Sequence, residues 1–129
     1  MTLAATPRSR LLPLLAVLLA ACTSDVDGVL SAWKKAGESP GEFKDAGAKL
    51  AGGKCHAGRV SGLEATVCTF DSAEAAKKAE EAGFALLGSS FGTAVASGKS
   101  VLVLSDPRKE DPTGRRMNTL VKAFQAETD

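Results

Sequence analysis

The sequence predicts an α+β domain. It is a small antiparallel sheet of about four strands, arranged as two hairpins, with helices packed mainly on one face, following a cleaved leader. Three observations predict it. Two stretches, residues 54–70 and 92–104, each read as a pair of short strands around a turn containing Ser-Gly. Three further stretches are helical in pattern: two place apolar residues at i, i+3, i+4 and i+7, and one is rich in strong helix formers. The 129 residues, 44% hydrophobic and 24% charged, suit one compact domain of ordinary globular composition and not two.

The leader comes first. Residues 1–10 carry Arg8 and Arg10 and no acid, and residues 11–21 are apolar throughout. Charge followed by a short apolar core is the layout of an export signal. As a helix, residues 11–22 would rise only about 18 Å, well short of the roughly 30 Å hydrocarbon core of a bilayer. The run is too short to span a membrane.

That run ends in Leu19-Ala20-Ala21-Cys22, which resembles the lipobox of bacterial lipoprotein precursors, where leucine and two small residues precede a cysteine. The resemblance implies that the Cys22 thiol takes a diacylglyceryl group, that cleavage before Cys22 removes residues 1–21, and that the new amino terminus is acylated in turn. It also implies attachment to a membrane of the bacterial cell envelope. Thr23 in place of an aspartate favours the outer membrane, facing the periplasm. Each buried acyl CH₂ contributes about 0.8 kcal/mol, so two or three chains hold a protein on a bilayer without protein-lipid contact.

Cleavage removes two of the 16 basic residues and none of the 15 acidic ones, so the remaining 108 residues carry a net charge of −1 with His56 neutral. That balance argues against a nucleic-acid partner and against a polybasic membrane patch. Residues 22–24 form a short tether and residues 25–129 a single globular domain, which places that domain close to the membrane.

Along the domain, Val26, Val29, Leu30 and Trp33 share one helical face. Asp25 or Asp27 can cap that helix, and Gly37 with the following Glu38-Ser39-Pro40-Gly41 ends it. Residues 43–51 mix alanine and lysine with glycine and predict a short, weak helix. Residues 54–60 and 63–70 predict two strands around a Ser61-Gly62 loop. With that loop, partners must sum to 123, so Val60 faces Leu63, Arg59 faces Glu64 and Cys55 faces Cys68. Taking the closing pair as hydrogen-bonded makes Cys55/Cys68 a non-hydrogen-bonded pair, with Cα atoms about 4.5 Å apart, a separation a disulfide can bridge. Gly58, Val60, Leu63, Ala65 and Val67 then occupy one face, and the cysteines the other with Ala57, Arg59, Glu64 and Thr66. In an oxidising compartment, closing this loop contributes about 3 kcal/mol.

Asp71 and Glu74 are spaced as a capping-box variant before the alanine- and charge-rich residues 73–82, and Gly83 or Gly88 ends that helix. Residues 92–96 and 100–104 predict a second hairpin with Ser97-Gly98-Lys99 as its turn. The unbroken apolar run Val101-Leu102-Val103-Leu104 marks a central strand covered on both faces. Asp111-Pro112 suits the cap and first position of a last helix, whose apolar face is Met117, Leu120, Val121 and Phe124. Val60-Ser61-Gly62 and Ala96-Ser97-Gly98 recur 36 residues apart, which hints at a repeated strand-strand-helix unit on the strength of one tripeptide.

Chemistry-bearing residues are few. Cys55, His56 and Cys68 invite a metal or thiol-redox reading, but no Cys-x-x-Cys or His-x-x-x-His pair accompanies them, and the hairpin register turns His56 to the face opposite both cysteines. Gly98-Lys99-Ser100 has the ending of a phosphate loop without its first glycine, since Thr93 stands there, and without a following helix. Arg108, Lys109, Arg115 and Arg116 cluster before the last helix and invite an anionic partner, diluted by Glu110 and Asp111. With no tyrosine and 5% aromatic residues, an aromatic binding platform is poorly supplied, and Trp33 reads as core. No cofactor is expected.

The globular part is similar to small envelope lipoproteins that share a Cys…Gly-x-Val-x-Gly…Cys hairpin followed by a helix, here Cys55, Gly58, Val60, Gly62 and Cys68. That similarity implies no activity. The expected function is therefore a non-catalytic structural or binding module, held by its lipid and meeting another envelope protein. An accessory thiol-redox or catalytic role centred on Cys55, His56 and Cys68 is the alternative.

Overall fold

The structure is a computed structural model that describes residues 25–129. The leader, Cys22 and the tether lie outside the described residues. Helix α1 spans Asp25–Lys35 and is followed by strand β1, Lys44–Gly47. Strands β2, Lys54–Val60, and β3, Leu63–Thr69, form the first hairpin, and helix α2, Ala73–Leu87, follows. Strands β4, Gly92–Ser97, and β5, Ser100–Ser105, form the second, and helix α3, Arg115–Thr128, ends the fold. The five strands make one antiparallel sheet in the order β1-β2-β3-β5-β4. The α+β class and the presence of two hairpins are as predicted, with β1 as a fifth strand beyond the four expected.

The first hairpin has the expected register throughout, from Val60 opposite Leu63 to Cys55 opposite Cys68. Ser61 and Gly62 both have positive φ, 50° and 87°, the pair of left-handed residues that a tight turn needs to match the twist of its strands. Ser61 is held there by its side chain, which accepts from Ser39 N at 3.0 Å and donates to Glu38 Oε1 at 2.7 Å. The second hairpin closes more tightly than predicted. Ser97 pairs with Ser100, so the turn is Gly98-Lys99 alone, with Gly98 at φ 56°. The repeated tripeptide is thus one residue out of step with the turns it was matched on.

The predicted helix at residues 43–51 is not formed. Lys44–Gly47 is instead an edge strand on β2, with an irregular register between Asp45 and Gly47, and a bend leads on to buried Leu50, where a turn closed by Gly53 N to Leu50 O begins. Pairing with β2 supplies hydrogen bonds that a glycine-interrupted helical turn could not.

Helices cover both faces, two on one and one on the other. Against α1 and α3 lie Val60, Leu63, Ala65, Val67, Leu102 and Leu104, in one core with Val29, Trp33, Leu120 and Phe124. Against α2 lie Leu50, the two cysteines, Phe70, Ala94, Val101 and Val103. Strand β5 contributes to both layers, which is why its sequence does not alternate. Trp33 is fully buried, and its Nε1 donates to Leu120 O at 3.0 Å, tying α1 to α3.

Helix ends depart from prediction by short steps. Asp25 and Asp27 stand inside the first turn of α1, where negative charge meets the positive end of the helix dipole. Ser72, not Asp71, caps α2, accepting from Ala75 N at 3.1 Å. Gly88 ends that helix at φ 58°, while Gly83 lies within it, against Ala94 and Val103. Helix α3 begins at Arg115, three residues beyond the predicted Pro112.

Candidate functional site

The first predicted site residue, Cys22, lies outside the described residues. The other two are joined. Cys55 and Cys68 form a disulfide across the non-hydrogen-bonded pair, with Cα atoms 4.0 Å apart. They are 1% and 0% exposed, packed in the layer beneath α2. His56 is partly exposed on the other face of β2, opposite Val67. The three residues therefore form no common cluster, and the sulfurs are sealed from an attacking thiolate, which needs access to one of them. Among the described residues no group of three or more His, Cys, Asp or Glu side chains is placed to hold a metal. Also among them, no helix is long and apolar enough to cross a membrane.

The basic cluster is organised by two acids. After β5, Asp106 is 2% exposed, and its carboxylate accepts from Glu110 N at 2.9 Å and Asp111 N at 2.8 Å. Asp111, 7% exposed, passes the arrangement on, accepting from Arg116 N at 3.2 Å and Met117 N at 2.9 Å. The N-cap of α3 is Gly114, left-handed at φ 73°, and not Asp111 as expected, but the Asp111 carboxylate still satisfies two N–H groups of the first turn from outside the helix. The loop between the two acids displays Arg108 and Lys109 to solvent. Arg116 is engaged with Glu38 at 3.1 Å, the same carboxylate oxygen that accepts from Ser61. A shallow groove of about 430 Å³ runs between these groups, lined by Glu38, Glu110, Arg115 and Arg116 among others. Its acids and bases are interleaved, so it presents no single sign of charge to a ligand.

A second groove, about 620 Å³, opens where α1 begins, between Asp25, Ala73, Gly98-Lys99 and Glu127-Thr128. Gly98-Lys99-Ser100, the phosphate-loop fragment, is here a hairpin turn beside the carboxyl-terminal end of α3.

Sequence reasoning missed two features. One is the Asp106-to-Asp111 relay, for which the repeated Asp-Pro pairs, Asp106-Pro107 and Asp111-Pro112, were the available signal. The other is a group of exposed apolar side chains around the end of α2, Phe84, Leu86 and Phe91. Phe84 and Leu86 lie in an alanine-rich helix that gives little periodic contrast to reveal them, and Phe91 stands alone just before β4. No known family, curated protein or solved structure matches the chain.

Proposed function

We propose that this chain is a lipid-anchored protein of the bacterial cell envelope, whose domain is a non-catalytic structural or binding module. The observation that carries the reading is the order of parts in the leader: Arg8 and Arg10, the apolar residues 11–21, and Leu19-Ala20-Ala21-Cys22 at their end. The position of the domain supports it, since the folded chain is under way at Asp25, three residues after Cys22. Three residues of chain span at most about 10 Å, so an anchor on Cys22 would hold Asp25 close to the membrane surface. The buried disulfide fits an oxidising compartment such as the periplasm. The outer membrane is favoured by Thr23.

The alternative, a thiol-redox or catalytic role for Cys55, His56 and Cys68, asks for access that the burial of both sulfurs denies.

The test is metabolic labelling with an alkyne fatty acid. The wild-type chain is expected to take up label and to sediment with membranes, and Cys22→Ala to take up none. Equal labelling of the two, or no labelling of either, would remove the anchor from the account.

A further inference from the structure

The two edges of the sheet, β1 and β4, are protected unequally. Strand β1 has four residues, carries Lys44 and Asp45, and its register shifts between Asp45 and Gly47. Shortness, charge and a bulge are the devices that keep an edge from pairing with another chain. Strand β4, Gly92-Thr93-Ala94-Val95-Ala96-Ser97, has six residues, no charge and no proline.

Ladder bonds of antiparallel strands alternate. Phe91 O accepts from Asp106 N at 2.8 Å, so in this register residues 91, 93, 95 and 97 turn their polar groups to β5, and Ala94 and Ala96 turn theirs outward. Ala96 bears this out, since its N–H goes to Glu80 Oε2 at 2.8 Å and not to β5. Glu80 covers that one donor. No described strand pairs with the outer side of β4.

Apolar side chains flank the same edge. Phe84 is 50% exposed and Phe91 58% exposed. Phe84 follows Gly83, which rests on Ala94, and stands four residues beyond Glu80, so it lies on the flank of α2 that overhangs β4.

We infer that β4 pairs antiparallel with β4 of a second copy of this chain, joining two sheets into one across a two-fold axis. An uncharged strand edge is its own complement under such an axis, and isologous two-fold pairing is the commonest closed assembly. The register follows from Glu80. Leaving its bond to Ala96 intact leaves Gly92 and Ala94 to pair outward, and the register that uses both on each strand sets Gly92 against Ala94 of the second copy, Thr93 against Thr93, and Phe91 against Val95. The last two are favourable cross-strand pairs. Helix α2 packs over β4 and β5. With strands about 4.8 Å apart, the two α2 axes would lie about 10 Å apart, the spacing of packed helices, with Phe84 of each copy between them. The axis is normal to the sheet, so both α1 helices lie on one face and both anchors can meet one membrane. The inference itself rests on the edge and not on the anchor.

Thr93→Cys in the full chain tests it, by mild oxidation of whichever cell fraction holds the protein, followed by a non-reducing gel. The pairing predicts a species of twice the monomer mass, little of it with Lys44→Cys on the opposite edge, and a several-fold drop when Phe84→Glu is added. Thr93→Cys remaining monomeric, linking no more than Lys44→Cys, or linking equally with Phe84→Glu would overturn it. Sedimentation of the unsubstituted chain guards against a misfolded variant: a dimer is expected, and a monomer at tens of micromolar would also overturn the pairing.

Discussion

Asp106 and Asp111 are buried carboxylates that keep their places because backbone N–H groups surround them. Together they accept four such bonds, two of them from the first turn of α3. A buried acid without those donors would be costly, and the donors without the acid equally so. Asp111→Ala is expected to cost about 1–2 kcal/mol, and Asp106→Ala about 2–3 kcal/mol, each read as a lower urea midpoint. Asp106→Asn, which keeps one acceptor, should fall between wild type and Asp106→Ala. An unchanged midpoint in either alanine variant would show that the loop is held by something else. The sequence marks both residues through their Asp-Pro pairs. It does not mark their partners, because Asp111 reaches N–H groups five and six residues on only after Gly114 adopts its left-handed turn.

Among the elements, α2 gives the sharpest contest between local and tertiary preference. By helix propensity alone, replacing a mid-helix glycine with alanine stabilises by about 1 kcal/mol. A Cβ on Gly83, however, would stand 2.9 Å from Ala94 Cβ and 3.2 Å from Val103 Cγ2, both anchored in the sheet. Gly83→Ala is therefore expected to destabilise by about 1–2 kcal/mol, since packed strands yield little room. A higher melting temperature would mean that α2 can lift from the sheet at little cost. In the first hairpin, replacing both Cys55 and Cys68 with alanine is expected to cost about 3 kcal/mol, measured as a shift in the denaturant midpoint with native circular dichroism retained.

These elements also show what was legible. The first hairpin was readable to the residue because a two-residue turn fixes register and strand side chains alternate with period two. Strand β1 was not, because Lys44-Asp45-Ala46-Gly47 has neither alternation nor β-branched residues, and its conformation is imposed by β2. The start of α3 was misplaced for a related reason. Asp-Pro reads as a cap and first helical position, while Thr113-Gly114 interposes a turn first.

At the scale of the whole molecule, two strand-strand-helix units share one sheet but are not equivalent, because α2 covers one face and α3 the other. The disulfide pins the first unit in the layer under α2, and Trp33 ties α1 to α3 on the opposite side. The result is a domain with a hydrophobic core in each layer and, among the described residues, no group of three or more His, Cys, Asp or Glu side chains placed to hold a metal. We propose that this domain is held on an envelope membrane by lipid attached to Cys22. It is tested most directly by the intact mass of the protein extracted from membranes, taken with and without reductant. The account predicts a chain lacking residues 1–21, heavier than residues 22–129 by a diacylglyceryl group and an amide-linked acyl chain, and gaining two hydrogen atoms on reduction as the Cys55–Cys68 bridge opens. A mass that retains residues 1–21, or that begins at Cys22 without acyl groups, would contradict it.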